Sequence, residues 1–184
     1  METTLPVEAG DDARAAIDSI LARFGSPALA LAARSGVRVV HLGRGERYAA
    51  RSPALRRLAS RIDDWPVPPA GLFVVEERAV YLRSTSPMTV AHEFAHALDC
   101  ALGGGVYLSG VDPRVLRAFR AARAFVTPYA ATGLDEYFAE SVRAWVGAND
   151  VRSPWPRATR ERLRLIDPAM ANVVESLFRN ELAA

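Results

Sequence analysis

The chain has 184 residues, half of them hydrophobic, and a formal net charge of +2 at pH 7. This length and composition are enough to bury a core and favour one domain over two. All 23 basic residues are arginines, and they are spread among acids instead of forming a block, which argues against a nucleic-acid partner.

Cysteine content and targeting signals narrow the classes further. The single cysteine, Cys100, excludes an internal disulfide framework. We expect no membrane span, because no apolar run reaches about 18 residues. The N-terminal residues lack a basic segment followed by an apolar one, so we expect no secretory signal in them. We therefore expect a monomer that is cytoplasmic or exported without a signal, or one that is secreted if an upstream signal has been removed.

Elements predicted in chain order begin with a flexible N-terminus over residues 1–10, and residues 11–184 are expected to form a single domain. Periodicity and breaker residues predict helices and a small sheet over 11–86, and a helical part over 87–184. The predicted helices cover residues 11–24, 28–34, 52–62, 87–102, 113–125, 132–145, 157–165 and 168–182, and the predicted strands cover 37–42, 72–75 and 79–83.

The predicted hairpin bears on function because its second strand, 79–83, runs almost directly into the next helix. We expect this strand to lie along a cleft. An exposed edge there would let an extended peptide pair with it by strand addition. The same hairpin also fits an ordinary closure of a small sheet.

The helix predicted over 87–102 carries the most specific motif of the chain. Ser86 is a helix cap, Pro87 fits the first helical position, and a run of three glycines follows Leu102. His92 and His96 are four residues apart, so their imidazoles point into the same space. H-E-x-x-H on a helix suits a zinc ion held by both histidines, with Glu93 as general base toward a metal-activated water. The alternative is two histidines that only cap or pack.

A catalytic zinc site of this type needs a third protein ligand. Asp99 follows His96 by three residues, and its short side chain is poorly placed to reach a metal held one turn earlier. The extended motif with its third ligand close to the second histidine fails, because Leu102 stands at that position. The ligand is then expected from a carboxylate on another helix.

The helix predicted over 132–145, with Thr132 as its cap, carries two candidate carboxylates. Glu136 and Glu140 are one turn apart on one face. They are either a solvated surface pair or a functional pair. In the functional interpretation Glu136 is the third zinc ligand and Glu140 orients a ligand histidine.

Two motifs about forty residues apart resemble a known family. His-Glu-Phe-Ala-His-Ala-Leu-Asp, followed by Tyr129 and then Glu-Tyr-Phe-Ala-Glu-Ser, is similar to the zinc metallopeptidases that include the anthrax lethal factor catalytic domain and the Pro-Pro endopeptidases. The resemblance implies one zincin-like α+β domain with a small, mostly antiparallel sheet, an active-site helix and a helical C-terminal half. It places zinc on His92, His96 and Glu136, the general base on Glu93 and an oxyanion-stabilising tyrosine on Tyr129. It also places a supporting acid on Glu140.

The function implied is hydrolysis of peptide bonds in a peptide or protein substrate by a zinc-dependent endopeptidase. Tyr81, Tyr107 and Trp65 are aromatic candidates for substrate binding near the predicted cleft. A proline-flanked bond follows from the Pro-Pro endopeptidase resemblance alone, because lethal factor points to another kind of substrate. The alternatives are a zinc-binding module without turnover and the peptidase part of a larger toxin or effector.

Overall fold

The computed structural model of the chain describes residues 4–58, 61–151, 153 and 157–182. The strands are β1 (Val7–Glu8), β2 (Arg38–His41), β3 (Gly71–Val74) and β4 (Ala79–Leu82). The α-helices are α1 (Asp11–Leu21), α2 (Ser26–Arg34), α3 (Tyr48–Arg51), α4 (Pro53–Arg56), α5 (Pro87–Leu102), α6 (Pro113–Ala121), α7 (Leu134–Trp145), α8 (Arg160–Ile166) and α9 (Pro168–Ser176). The predicted α+β class is confirmed.

The four strands form one mixed sheet in the order β1-β2-β4-β3. The pairs β1–β2 and β2–β4 are parallel, and β3–β4 is the antiparallel hairpin. The prediction of a mostly antiparallel sheet is therefore wrong in two of three strand pairs. The reason is the connections: helices return the chain across the sheet before β2 and again before the hairpin, and such crossovers produce parallel neighbours.

The sheet separates two apolar clusters. Alternation along β4 points Val80 and Leu82 into the main core, to which α1, α2, α5 and the C-terminal helices also contribute side chains. Ala79 and Tyr81 point to the other face and join a smaller cluster with Tyr48. Helix α5 lies between the sheet and α7, with ten of its sixteen residues buried. This central position holds the motif helix rigidly.

The N-terminus differs from its prediction. Val7–Glu8 pairs with β2, and Leu5 and Val7 are buried, so residues 4–10 are not the flexible segment that was expected. Packing of two apolar side chains against the core outweighs the cost of ordering this segment. Residues 1–3 of the predicted segment lie outside the described residues.

Two helices predicted in the middle of the chain end several residues early in the structure. The helix predicted over 52–62 ends at Arg56, and residues 59 and 60 of it lie outside the described part. Helix α3 precedes it, and Asp63 accepts hydrogen bonds from the Tyr48 and Ala49 N–H groups at 2.8 and 2.9 Å. The helix predicted over 113–125 ends at Ala121 because the next residue is extended. The 87–102 helix and the hairpin are confirmed.

Within the described residues, no single helix has the length and apolar character needed to cross a membrane. The helical segments Asp11–Phe24 and Ser26–Arg34 meet that length and composition only when they are taken together, and they are bent by 106°.

Candidate metal centre and active site

Helix α5 carries three of the predicted site residues on one side. The Ser86 hydroxyl accepts a hydrogen bond from the Thr89 N–H at 3.2 Å, and Pro87 follows it, so the helix begins where the sequence predicts. The rings of His92 and His96 meet edge to face, with their centroids 4.7 Å apart. The helical spacing therefore brings both imidazoles to one point, as predicted.

Helix α7 packs against α5 and supplies the acids. Its N-cap is Gly133, and the Thr132 hydroxyl donates instead to the Tyr129 carbonyl at 2.8 Å, so the predicted Thr132 cap is wrong. Glu136 Oε2 lies 3.0 Å from His92 Nε2 and 3.6 Å from His96 Nε2. The fold thus brings Glu136 to the histidines, although forty residues of chain separate it from His96.

These three side chains fit a zinc ion. The two Nε2 atoms are 3.1 Å apart, and one ligand atom from each residue lies within 4.8 Å of the others. Zinc–ligand bonds of about 2.0–2.1 Å at tetrahedral angles place ligand atoms about 3.3 Å apart, which the observed distances bracket. Glu136 Oε2 is buried without a hydrogen-bond partner among the described residues. Two imidazoles and a carboxylate are a donor set of catalytic zinc, with a fourth position open.

The electrostatics of the cluster favour positive charge. Burial disfavours the charged ring of His92, but the close Glu136 and Glu140 carboxylates outweigh it and raise the pKa of His92 to about 10. Burial raises the pKa of Glu136, but the two neighbouring imidazoles outweigh it and lower the pKa to about 2. A cation between these groups would stabilise the ionised Glu136 carboxylate.

The Glu93 side chain projects from α5 toward β3. Burial raises the pKa of its carboxyl above the usual value, and a hydrogen bond from the Phe73 backbone acts in the opposite direction. A Cβ atom at Gly71 would lie 2.7 Å from Glu93 Cγ, so only a glycine lets β3 approach α5 this closely. A carboxylate with a raised pKa beside a metal site suits a general base.

Tyr129 stands at the front of the cluster. Its ring centroid lies 5.5 Å from that of His92, and the side chain is 53% exposed. Partial burial and the neighbouring Glu136 carboxylate raise the pKa of Tyr129 to about 12. The phenol therefore stays protonated near neutral pH and can donate a hydrogen bond.

Glu140 stands behind His92, where its Oε1 lies 2.9 Å from His92 Nδ1. A carboxylate at this nitrogen favours the tautomer with a proton on Nδ1 and a lone pair on Nε2, which is the form that binds a metal. The structure therefore brings His92, His96, Glu93, Glu136, Glu140 and Tyr129 together, as the sequence predicts.

A cleft of about 410 Å³ opens beside His92 and Glu93. It lies between α5, the start of β3 and the segment 127–129. The other lining residues are Pro69, Ala70, Gly71, Met88, Thr89, Thr127, Pro128, Tyr129, Glu140 and Arg143.

Of the three aromatic candidates for substrate binding, none lines this cleft. Tyr81 is fully buried on the opposite face of the sheet, and its hydroxyl bonds Glu77, so its assignment to substrate binding is wrong. The cause is the two-residue alternation of β4. Tyr107 packs on His96 with ring centroids 5.9 Å apart. Trp65 is half exposed in the segment before β3.

Strand β4 lies inside the sheet, and the edge strand beside the cleft is β3, which corrects the predicted position of the peptide-pairing strand. The Arg83 N–H donates to the Ala70 carbonyl at 2.8 Å, so Gly71 pairs with Leu82 without direct hydrogen bonds. The N–H and C=O of Gly71 then point away from β4, toward the free edge.

Two site residues escaped the sequence interpretation. Arg143 binds the Glu140 carboxylate through Nε and Nη2, both at 2.8 Å, and the Thr127 hydroxyl donates to it at 2.5 Å. The i, i+3 spacing of Glu140 and Arg143 on a predicted helix was a usable signal. No local pattern pointed to Thr127, because its contact with Glu140 depends on how the 127–129 segment folds over α7.

The comparisons with known proteins bear on the fold. No protein-family model matches the sequence, and no curated protein matches it. Among solved structures, the chain is similar to the Pro-Pro endopeptidase PPEP-2 from Paenibacillus alvei. The TM-score is 0.67 at 19% sequence identity, and the alignment covers 94% of this chain and 96% of that chain. This likeness confirms the fold that the sequence resemblance implied, over nearly the whole chain.

Proposed function

We propose that the protein is a zinc-dependent endopeptidase. The observation that carries the proposal is the convergence of His92, His96 and Glu136 on one point, with Glu93 beside them in an open cleft. The fold shared with a Pro-Pro endopeptidase supports it. His92, His96 and Glu136 would hold the ion, and zinc, when bound, supplies Lewis-acid polarisation of the scissile carbonyl and of a water molecule.

Glu93 carries the proton transfers in this proposal. Its carboxylate takes a proton from the attacking water and later delivers it to the leaving amine. The raised pKa of Glu93 brings its affinity for a proton closer to the working pH, which supports both halves of this role. The Phe73 N–H and the close approach of Gly71 hold the carboxylate in place.

Tyr129 stabilises the charge that develops on the substrate. Its protonated phenol stands beside His92 at the mouth of the cleft, where it can donate to an oxyanion. Half of the side chain is exposed, so its hydroxyl is accessible to a bound peptide.

The substrate is a peptide or protein segment in extended form. The free edge of β3 offers the Gly71 N–H and C=O groups to a peptide strand, and the edge lies directly against Glu93. The 410 Å³ cleft beside His92 takes one side chain of that peptide. Two of its charged lining residues, Glu140 and Arg143, form an ion pair without net charge, and we propose that the cleft selects an uncharged side chain.

A zinc-binding module without turnover is the competing function. Such a module requires His92, His96 and Glu136. It does not require the Glu93 carboxyl with its raised pKa or the protonated Tyr129 phenol beside the ligands. The presence of both groups at the site favours the enzyme.

The test is a peptide-library digest by the purified, zinc-loaded protein, with cleavage sites read by mass spectrometry. The library includes proline-flanked and proline-free bonds, so the same experiment defines the substrate class. Glu93→Gln is the matched variant: it is expected to retain zinc and to lose about 10²- to 10⁴-fold in turnover, the usual contribution of a general acid-base group.

Absence of cleavage by the wild type at every zinc concentration would overturn the endopeptidase proposal. Equal turnover by Glu93→Gln would overturn the role of Glu93 and leave the metal site intact. A separate measurement of bound zinc in both proteins distinguishes these outcomes.

A further inference from the structure

The carboxylate of Glu140 has a complete set of hydrogen-bond donors. Its Oε1 lies 2.9 Å from His92 Nδ1 and accepts from Arg143 Nε at 2.8 Å. Its Oε2 accepts from Thr127 Oγ1 at 2.5 Å and from Arg143 Nη2 at 2.8 Å. A carboxylate offers about four acceptor sites, so every one is used. Glu140 therefore has one orientation, and His92 shares it.

Arg143 supplies two of these four donors and is itself held from behind. The side chain is 1% exposed. Its Nη1 donates to the Ala148 carbonyl at 2.9 Å and to Asn149 Oδ1 at 3.3 Å. Asn149 is in turn tied to the Ala158 backbone by two hydrogen bonds of 2.8 and 2.9 Å. A continuous chain of contacts thus runs from the segment after α7 to the ring of His92.

The same segment also braces the motif helix. Asp150 Oδ1 accepts a hydrogen bond at 3.0 Å from the Met88 N–H, one of the unsatisfied donors at the start of α5. Residues 148–150 therefore contact both the helix that carries His92 and the helix that carries Glu136. They connect the start of α5 to the end of α7.

Stability alone does not account for this arrangement. Desolvation of a buried ion pair costs about as much as the pairing returns, and apolar side chains of similar volume often serve folding equally well. The ion pair instead fixes the direction of the hydrogen bonds. An arginine can only donate, so both Glu140 oxygens act as acceptors and His92 Nδ1 must be a donor.

We propose that Arg143 is a positioning residue for the metal site. Anchored by Ala148 and Asn149, it clamps Glu140 so that His92 Nε2 faces Glu136 and His96, and so it sets how tightly a divalent metal binds. The inference rests on the proposed function, because it concerns the same metal site. It adds a residue that acts on the metal only through Glu140 and His92.

The test compares Arg143→Lys with the wild type. Lysine keeps the charge but lacks the planar fork that binds both carboxylate oxygens. The zinc dissociation constant, measured by competition with a chromophoric chelator, is expected to rise about 10- to 100-fold, the usual effect of losing a group that orients a ligand. Turnover is expected to fall at limiting zinc and to recover at saturating zinc.

The matched control is Arg114→Lys on α6. Arg114 also grips a carboxylate through Nε and Nη2, that of Asp112, but it lies outside the site. This variant is expected to bind zinc like the wild type. If the role of Arg143 were only structural, Arg143→Lys would unfold at a lower temperature but would bind zinc with an unchanged dissociation constant when folded. That result would overturn the inference.

Should Arg143→Lys fail to fold, Asn149→Ala decides the matter, because it removes one anchor of Arg143 and leaves the ion pair in place. A weakening of zinc binding by about threefold or more supports the clamp, and an unchanged constant overturns it. Wild-type protein that binds no zinc would overturn the proposed function together with this inference. Wild-type binding with unaltered variants would overturn this inference alone.

Discussion

The two histidines of the site are held in different ways. His92 is fixed through Nδ1 by Glu140, whose carboxylate is saturated with donors. His96 Nδ1 is buried and has no hydrogen-bond partner among the described residues. Its ring is held by packing on Tyr107, 5.9 Å away between centroids. One ligand is thus oriented by a polar network and the other by an aromatic contact.

Each support ends in a buried acid, and the two acids differ in charge environment. Glu140 is paired with a guanidinium, and despite burial its hydrogen bonds with His92 and Arg143 hold its pKa below the usual range. Among the described residues, the hydrogen bonds to Asp99 come from neutral donors, the N–H and hydroxyl of Ser109 at 2.8 and 2.6 Å. Burial raises its pKa to about 6. The contact with Ser109 anchors the segment that carries Tyr107.

A polar network therefore orients a ligand only if every buried charge in it has a partner, whereas a packing contact needs no such partner. Removing the charge of Glu140 or Arg143 on the His92 side is therefore expected to destabilise the fold. Removing the charge of Asp99 on the His96 side is expected to stabilise it.

The largest expected effect comes from the ligand that both histidines share. Glu136→Ala is expected to lose stoichiometric zinc and all turnover, because two imidazoles alone bind zinc weakly. The measurement is zinc content after dialysis at a concentration that saturates the wild type. Asp135→Ala, a change to the adjacent acid, is the control and should retain the metal. Full zinc occupancy in Glu136→Ala would remove Glu136 from the ligand set.

The next effect separates the two supports. Glu140→Ala leaves the buried Arg143 guanidinium without its partner, which is expected to cost about 3–5 kcal/mol in the free energy of unfolding of the metal-free protein. Urea unfolding measures it. The loss should exceed that of Glu136→Ala, and replacing both Glu140 and Arg143 by leucine should recover most of it. Equal losses for Glu140→Ala and Glu136→Ala would contradict the clamp.

The smallest effect tests the His96 side through pH. The raised pKa of Asp99 means that the folded protein binds a proton more tightly than the unfolded chain between about pH 4 and 6. The free energy of unfolding then decreases as the pH rises through this window. The full cost above it is on the order of 3 kcal/mol, from 1.36 kcal/mol per pKa unit. Asp99→Asn is expected to remove this decrease.

Urea unfolding of wild type and Asp99→Asn at pH 4 and pH 7 gives the comparison. The difference in stability between the two proteins should shift in favour of Asp99→Asn at the higher pH. Parallel pH profiles would show that Asp99 is not the group responsible.

Much of the site follows from local periodicity. The helix that carries His92, Glu93 and His96 begins and ends as predicted, because its cap, its proline and its terminal glycines lie next to it in the chain. The one-turn spacing of Glu136 and Glu140 places both acids on one face by helix geometry alone. The hairpin is local in the same sense.

Other features depend on which elements meet. Strand order made β3 the free edge, and the alternation of β4 turned Tyr81 away from the cleft. The contacts of Glu140 with Thr127 and of Arg143 with the 148–149 segment arise when α7 docks between distant parts of the chain. The physical reason is the distance along the chain over which each effect acts. Backbone geometry fixes the relative positions of residues within a few helical turns, whereas side chains distant in sequence meet only through the packing of the whole core.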